Sequence, residues 1–290
     1  MNFSLKPGAP FMIHLLMREK CELPSEERMT DVMASRVGGA ECFSYSEDMA
    51  GFVPHKYSNR LVDGTLPPQL LIMRCTDFDH STLDTTMKSQ MWDCLNSEEI
   101  LAVCRYHVMA TDMLASGMKS YVERADMLMD FVEALVELFP TCEAVLFRTS
   151  GKMLLREKIL NHKVPRKARF VYFAVNFRIF DIQGSDDMIV DSVGMSTLCL
   201  PDVQYHFRDI YPDWIINHAC RLLSQIYTGS LDLDRKDTVD GMRDGLMCAE
   251  VQWKCRYQKA FMPPGRWAVD VAIEESDSDS DECFDNPCSY

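Results

Sequence analysis

Residues 198–214 read LCLPDVQYHFRDIYPDW and bring Asp202, His206, Arg208 and Asp209 together in one short stretch. A histidine titrates near neutral pH and a carboxylate can orient its ring. His206 with Asp202, and Arg208 beside them, is therefore the set that an acid–base hydrolase would need. An extended chain gives the competing reading. On a strand, His206 and Arg208 point to one face and Tyr205 and Phe207 to the other, so one face is polar and one buried with no chemistry required. Asp202, after Pro201, then serves a turn, and Asp209 caps the helix whose first turn holds Pro212 and Asp213. The stretch is expected to be a strand, a cap and a helix, with His206 and Asp202 as the alternative, enzymatic reading.

Other chemistries are weaker still. His107 with Asp112, in CRYHVMATDM, reads as a structural pair. RTSGKML offers Ser150 and Lys152 but is neither Ser-x-x-Lys nor a phosphate loop, and Gly-x-Gly-x-x-Gly, Gly-x-Ser-x-Gly and His-Glu-x-x-His do not occur. DLDRKDTVDG (232–241) lacks the glycine and glutamate of a calcium loop. The 12 cysteines include no Cys-x-x-Cys pair and lack clustered partners, so neither a metal nor any other cofactor is expected. Several fall in apolar runs, which suits free thiols in a cytoplasmic protein.

A different surface stands out on the clearest helix, residues 121–139. Glu123, Asp126, Asp130, Glu133 and Glu137 are spaced by three and four, which places all five acids on one stripe. Like charges at that spacing oppose the helix by a few tenths of a kcal/mol each. Only Arg124 is nearby in sequence, and it sits off the stripe. The stripe is the expected partner-binding surface, suited to a basic protein and weakened by salt.

These residues need a scaffold. The chain has 290 residues, 47% of them hydrophobic, which supplies a sizeable core. A net charge of −14 disfavours nucleic acid. Nowhere do 18 apolar residues run together, so no membrane span is expected. Ser25 before Glu26 and Glu27, with Gly38-Gly39 as the stop, marks a first helix. The pattern predicts strands at 40–47, 70–75, 98–114, 142–154 (with a Ser-Gly turn) and 168–182, the last turning at Gly184-Ser185 into a hairpin. VQYHF alternates as a strand, 213–227 forms a one-faced helix stopped by Gly229, and WAVDVAI is the last strand. Hairpins mixed with βα crossings predict an α+β fold: a two-layer sandwich of largely antiparallel sheet with helices on one face, for which two fused ferredoxin-like halves are one arrangement. One domain is expected over 1–272, followed at 273–290 by a disordered acidic tail.

Three segments carry a family resemblance: FAVNFRIFDIQGSDDMIVDSVGMSTLCLPDVQYHFRDI, RLLSQIYTGSLDLDRKDTVDG and CRYQKAFMPPGRWAVDV. They resemble an uncharacterised bacterial family, domain of unknown function 4261, over residues 145–271. The matching positions are Val175, Asn176 and Arg178; then Leu200, Pro201, Asp202, Gln204, Phe207 and Arg208; then Asp237, Thr238, Asp240 and Gly241. The family has no established activity. Similar domains occur beside toxin–immunity proteins, so the resemblance implies an interaction role, of immunity type.

Overall fold

The computed structural model describes residues 10–57, 59–61, 64–115, 118, 120–231 and 237–273. The acidic tail from residue 274 and residues 232–236 lie outside them. The first half runs β1 (Met12–Met17), α1 (Glu26–Val37), β2 (Ala40–Tyr45), β3 (Met49–Pro54), β4 (Asn59–Leu61), β5 (Gly64–Leu66), β6 (Gln69–Asp77), α2 (Thr85–Ser89), α3 (Ser97–Val103), β7 (Tyr106–Met113), α4 (Tyr121–Leu138), β8 (Cys142–Phe147) and β9 (Lys152–Leu155). The second half adds α5 (Arg156–Leu160), α6 (Arg169–Ala174), β10 (Asn176–Asp181), β11 (Met188–Val193), β12 (Asp202–Phe207), α7 (Pro212–Thr228), β13 (Thr238–Arg243), β14 (Leu246–Lys259) and β15 (Trp267–Ala272).

Two large sheets result. The first is antiparallel throughout, in the order β2-β3-β6-β7-β1-β8-β9. Its centre, β8-β1-β7-β6 with α1 and α4 in the connections, is a split βαβ of ferredoxin-like type. The second sheet, β10-β11-β12-β15-β14-β13, does not repeat that plan, because β12 and β15 are parallel neighbours. The fold is thus α+β with two mostly antiparallel sheets, and only the first half is ferredoxin-like.

The helices are not confined to one face. Side chains alternate across β1, and Ile13, Leu15 and Met17 join the main core with α1 and α4. Leu16 points the other way, into a second core with Leu83, Ile100 and Leu101 from the α2–α3 segment. The main core continues from α4 through Phe170 and Phe173 of α6 and Leu222 and Leu223 of α7 to Val203 and Val269 of the second sheet.

Helix ends follow the chemistry of the sequence. The Ser25 side chain accepts from the Arg28 N–H, and Gly38 closes α1 in the left-handed region. α7 begins with Pro212 in its first turn and ends at Gly229, also left-handed. Asp209 does not cap it: Tyr211 holds the cap position and makes no side-chain cap bond. Two expected strands begin as helices. Residues 97–103 form α3, with Glu98 and Glu99 in its first turn. Residues 169–174 form α6, since Phe170 and Phe173 reach the core only at helical spacing. At the edge of the second sheet, the Gln90 amide stands in for a missing neighbour strand. Its Nε2 donates to the Ile179 carbonyl and its Oε1 accepts from the Ile179 N–H, both at 2.9 Å.

Candidate functional site

The residues of β12 do not converge. Tyr205 and Phe207 are buried, as alternation requires, and Asp202, Gln204 and His206 share the opposite face. Asp202, however, is sealed at the start of the strand, while the His206 side chain is 52% exposed near its end. His206 Nε2 lies 3.6 Å from Asp187 Oδ2, and Arg208 Nε lies 2.7 Å from Asp187 Oδ1. Asp187, from the β10–β11 turn, therefore partners both side chains. The hydrogen bond from Arg208 holds its carboxyl below the usual range.

Asp202 is not a turn residue either. It accepts from Ser192 Oγ at 2.9 Å and from the Met195 N–H at 3.2 Å. Its Oδ2 has no hydrogen-bond partner, although Arg266 Nε stands 3.3 Å away. Burial pushes its carboxyl up to about 6, against the opposing pull of Arg266. Asp202 is the end of a charged seam across the second sheet. Arg178 grips Asp191 through Nε and Nη2 at 2.8 and 2.6 Å and donates to the Pro263 carbonyl at 2.7 Å. Arg266 reaches the same Asp191 oxygen at 2.6 Å and binds the carbonyls of Met262, Pro264 and Ser192. The seam ties the 260–266 loop onto the sheet, and its charges are spent on that closure. Arg178 and Asp191 are cross-strand partners in the β10–β11 hairpin, so the expected hairpin held the signal for that pair.

The acidic stripe of α4 is also spent internally. Arg166 binds Asp126 and Asp130, and the buried Arg169 binds Asp130 at 2.7 Å and Glu133 at 2.5 Å. Arg36 and Arg28 of α1 reach Glu137 at 2.6 and 3.4 Å. His162 adds a contact to Glu133 at 3.1 Å. Asp130 is itself buried, and of the five acids only Glu123 is exposed. The stripe faces its own chain, so the expected solvent-facing surface is corrected to an ionic seam joining α4 to α1 and the 162–169 segment. Arg124, off the stripe as expected, binds Asp112 through Nη2 at 2.8 Å and donates to the Thr197 carbonyl.

That pairing corrects the expected His107–Asp112 contact. His107 instead meets His14 of β1, Nδ1 to Nδ1 at 2.5 Å, and its Nε2 lies 3.1 Å from Thr76 Oγ1. Nothing in the local spacing of 107 and 112 announces this triple, because its members come from three strands.

The end of the opening stretch carries an exposed aromatic feature. Tyr211 is 71% exposed and stands edge-on to Trp214, with ring centroids 5.1 Å apart. Trp214 rests on the β13–β14 turn, where a Cβ on Gly245 would come within 2.7 Å of the indole. Leu246, 64% exposed, extends this ridge. Asp209 and Asp244 sit in left-handed turns at φ 57° and 52°, and with Asp213 they flank the aromatics with exposed carboxylates.

Among the described residues, no group of three or more His, Cys, Asp or Glu is placed to hold a metal ion, and no helix is long and apolar enough to cross a membrane. No curated protein and no solved structure matches the chain. The family comparison does find one. It starts after Arg178, so the Val-Asn-x-Arg positions fall outside it, yet it takes in the rest of the charged seam and the whole aromatic ridge. Residues 191–272 match the model of a domain of unknown function, DUF4261.

Proposed function

We propose that this chain is a protein-interaction module that binds a basic partner through the Tyr211–Trp214–Leu246 ridge and the carboxylates around it. The observation that carries the reading is the seating of Trp214 on Gly245, which holds a large aromatic at the surface. Exposed aromatics fixed in place lose little entropy on binding and commonly supply most of an interface's energy. Asp209, Asp213 and Asp244 add a local negative field to a chain already at −14. Such a field would speed the approach of Lys- and Arg-bearing surfaces. An immunity-type role, in which the basic partner is a toxin, is one form of this reading.

The test is site-specific photocrosslinking. A benzophenone side chain at position 211 should trap a partner in the native source, and the same group at exposed Leu160 on α5 should not. Leu246→Glu should abolish the adduct and leave unfolding unchanged. Equal trapping at both positions, or trapping indifferent to Leu246→Glu, removes the ridge as the contact.

A further inference from the structure

The enzymatic alternative fails at His206 and Asp202, but the first sheet assembles another set of groups. Thr76 and His107 are direct cross-strand partners on β6 and β7. Thr76 is exposed, and its Oγ1 stands 3.1 Å from His107 Nε2. On the other side of that ring, His107 Nδ1 meets His14 Nδ1 at 2.5 Å. The two ring planes differ by 14° with centroids 4.6 Å apart. Rings lying face to face would keep their atoms about 3.5 Å apart or more. The imidazoles therefore meet edge to edge, nitrogen to nitrogen, and a single proton lies between them.

We propose that Thr76, His107 and His14 form a nucleophile–base–orienter relay that hydrolyses small esters bearing an anionic group. When the shared proton resides on His107 Nδ1, His107 Nε2 is free to accept the Thr76 hydroxyl proton. His14 then carries its own proton on Nε2. That nitrogen is buried with no hydrogen-bond partner, and the Phe78 ring stands 5.8 Å from the His14 ring, centroid to centroid. Burial depresses both imidazoles, His14 to about 4 with help from His107 and Arg148, so both are neutral near pH 7, as the relay needs. Thr76 and His107 open on a groove of about 490 Å³ that Met73, Met109, Arg74 and Asp48 complete. The thioethers give it an apolar lining. Arg74, held by Asp48 at 2.8 Å, supplies the cation for an anionic substrate group.

In the reaction, Thr76 Oγ1 bonds to the ester carbon as its proton passes to His107 Nε2. Collapse of the adduct breaks the ester C–O bond, and the same proton leaves with the alcohol. Water, deprotonated by His107, then cleaves the acyl-threonine, and the proton returns to Thr76 as the acid departs. This activity goes beyond the interaction reading and uses the other sheet.

The test uses the full chain with a fluorophosphonate probe and two esters, p-nitrophenyl acetate and p-nitrophenyl hemisuccinate. With the probe, a P–O bond forms at Thr76, the P–F bond breaks, and fluoride leaves. Mass mapping should place the adduct on residue 76 in the wild type and in Thr76→Ser. Thr76→Ala and His107→Gln should lower kcat/KM by about 100-fold or more. Arg74→Gln should erase the preference for hemisuccinate over acetate. His14 acts as a positioning residue, so in His14→Leu the nitrogen NMR signals of His107 should show the ring proton moved from Nδ1 to Nε2. Since Thr76 is exposed, Thr76→Ala should unfold at the wild-type temperature. No adduct at residue 76, or hydrolysis by Thr76→Ala at the wild-type rate, overturns the proposal.

Discussion

Arg166 holds Asp130 with both terminal nitrogens, at 3.1 and 2.7 Å, while its Nε reaches Asp126 at 2.8 Å. The acids that repel one another along α4 are thus neutralised by arginines from elsewhere in the chain. Arg169 is the most buried of these partners. Arg169→Met should destabilise the protein, but by less than the about 3–5 kcal/mol of a wholly stranded buried charge, because Arg166 still pairs with Asp130. Glu137→Ala, at a half-buried pair, should cost less than about 1 kcal/mol. The triple change of Asp126, Asp130 and Glu133 to Lys, which sets three cations against Arg166 and Arg169, should prevent folding. Chemical denaturation monitored by circular dichroism checks all three.

Asp202 and His14 should give the stability curve two opposing slopes. The folded carboxyl of Asp202 titrates at about 6, above the unfolded value of 3.8. Its protonated form is the one folding favours, so its contribution is greatest below pH 4 and is lost as pH rises through 6. His14 is depressed from 6.5 to about 4, so its contribution is present above pH 6.5 and is lost as pH falls towards 4. Asp202→Asn should remove the first slope and leave the second. Relative to wild type it should gain about 3 kcal/mol between pH 4 and pH 7, read from urea midpoints.

Gln90 performs a strand's work with one side chain. Gln90→Ala leaves the Ile179 N–H and carbonyl without their partner, together with Trp92 Nε1, which donates to Gln90 Oε1 at 2.9 Å. The expected cost is about 1–3 kcal/mol. Hydrogen exchange at the Ile179 amide should accelerate more than at Val190, in the sheet interior.

Gly245→Ala tests the aromatic ridge without replacing any of its side chains. At φ 75° the alanine is strained, and its Cβ would lie 2.7 Å from the Trp214 indole. Trp214 must shift, so the tryptophan emission should change, and partner capture should fall even where the protein remains folded.

How much of this was legible in the sequence depends on distance along the chain. The ends of α1 and α7 follow from Ser25, Gly38, Pro212 and Gly229, all local signals. The two faces of β12 follow from period two. Residues 169–174 carry strand-forming Phe, Val and Tyr, but the packing of Phe170 and Phe173 in the main core overrides that propensity. The β13–β14 hairpin was hidden by the charged residues of its first strand. The stripe's geometry was readable and its environment was not: Arg166 lies 40 residues from Asp126, and only tertiary structure brings them together. Thr76, His107 and His14 were unreadable as a group for the same reason, since β6, β7 and β1 become neighbours only in the sheet.

The central claim, that the ridge and not the α4 stripe meets a partner, is tested most directly by hydrogen exchange on the complex with the protein trapped at position 211. The account predicts new protection at residues 209–215 and 244–247, with residues 121–138 exchanging as in the free chain. Protection confined to 121–138, with the ridge unchanged, would contradict it.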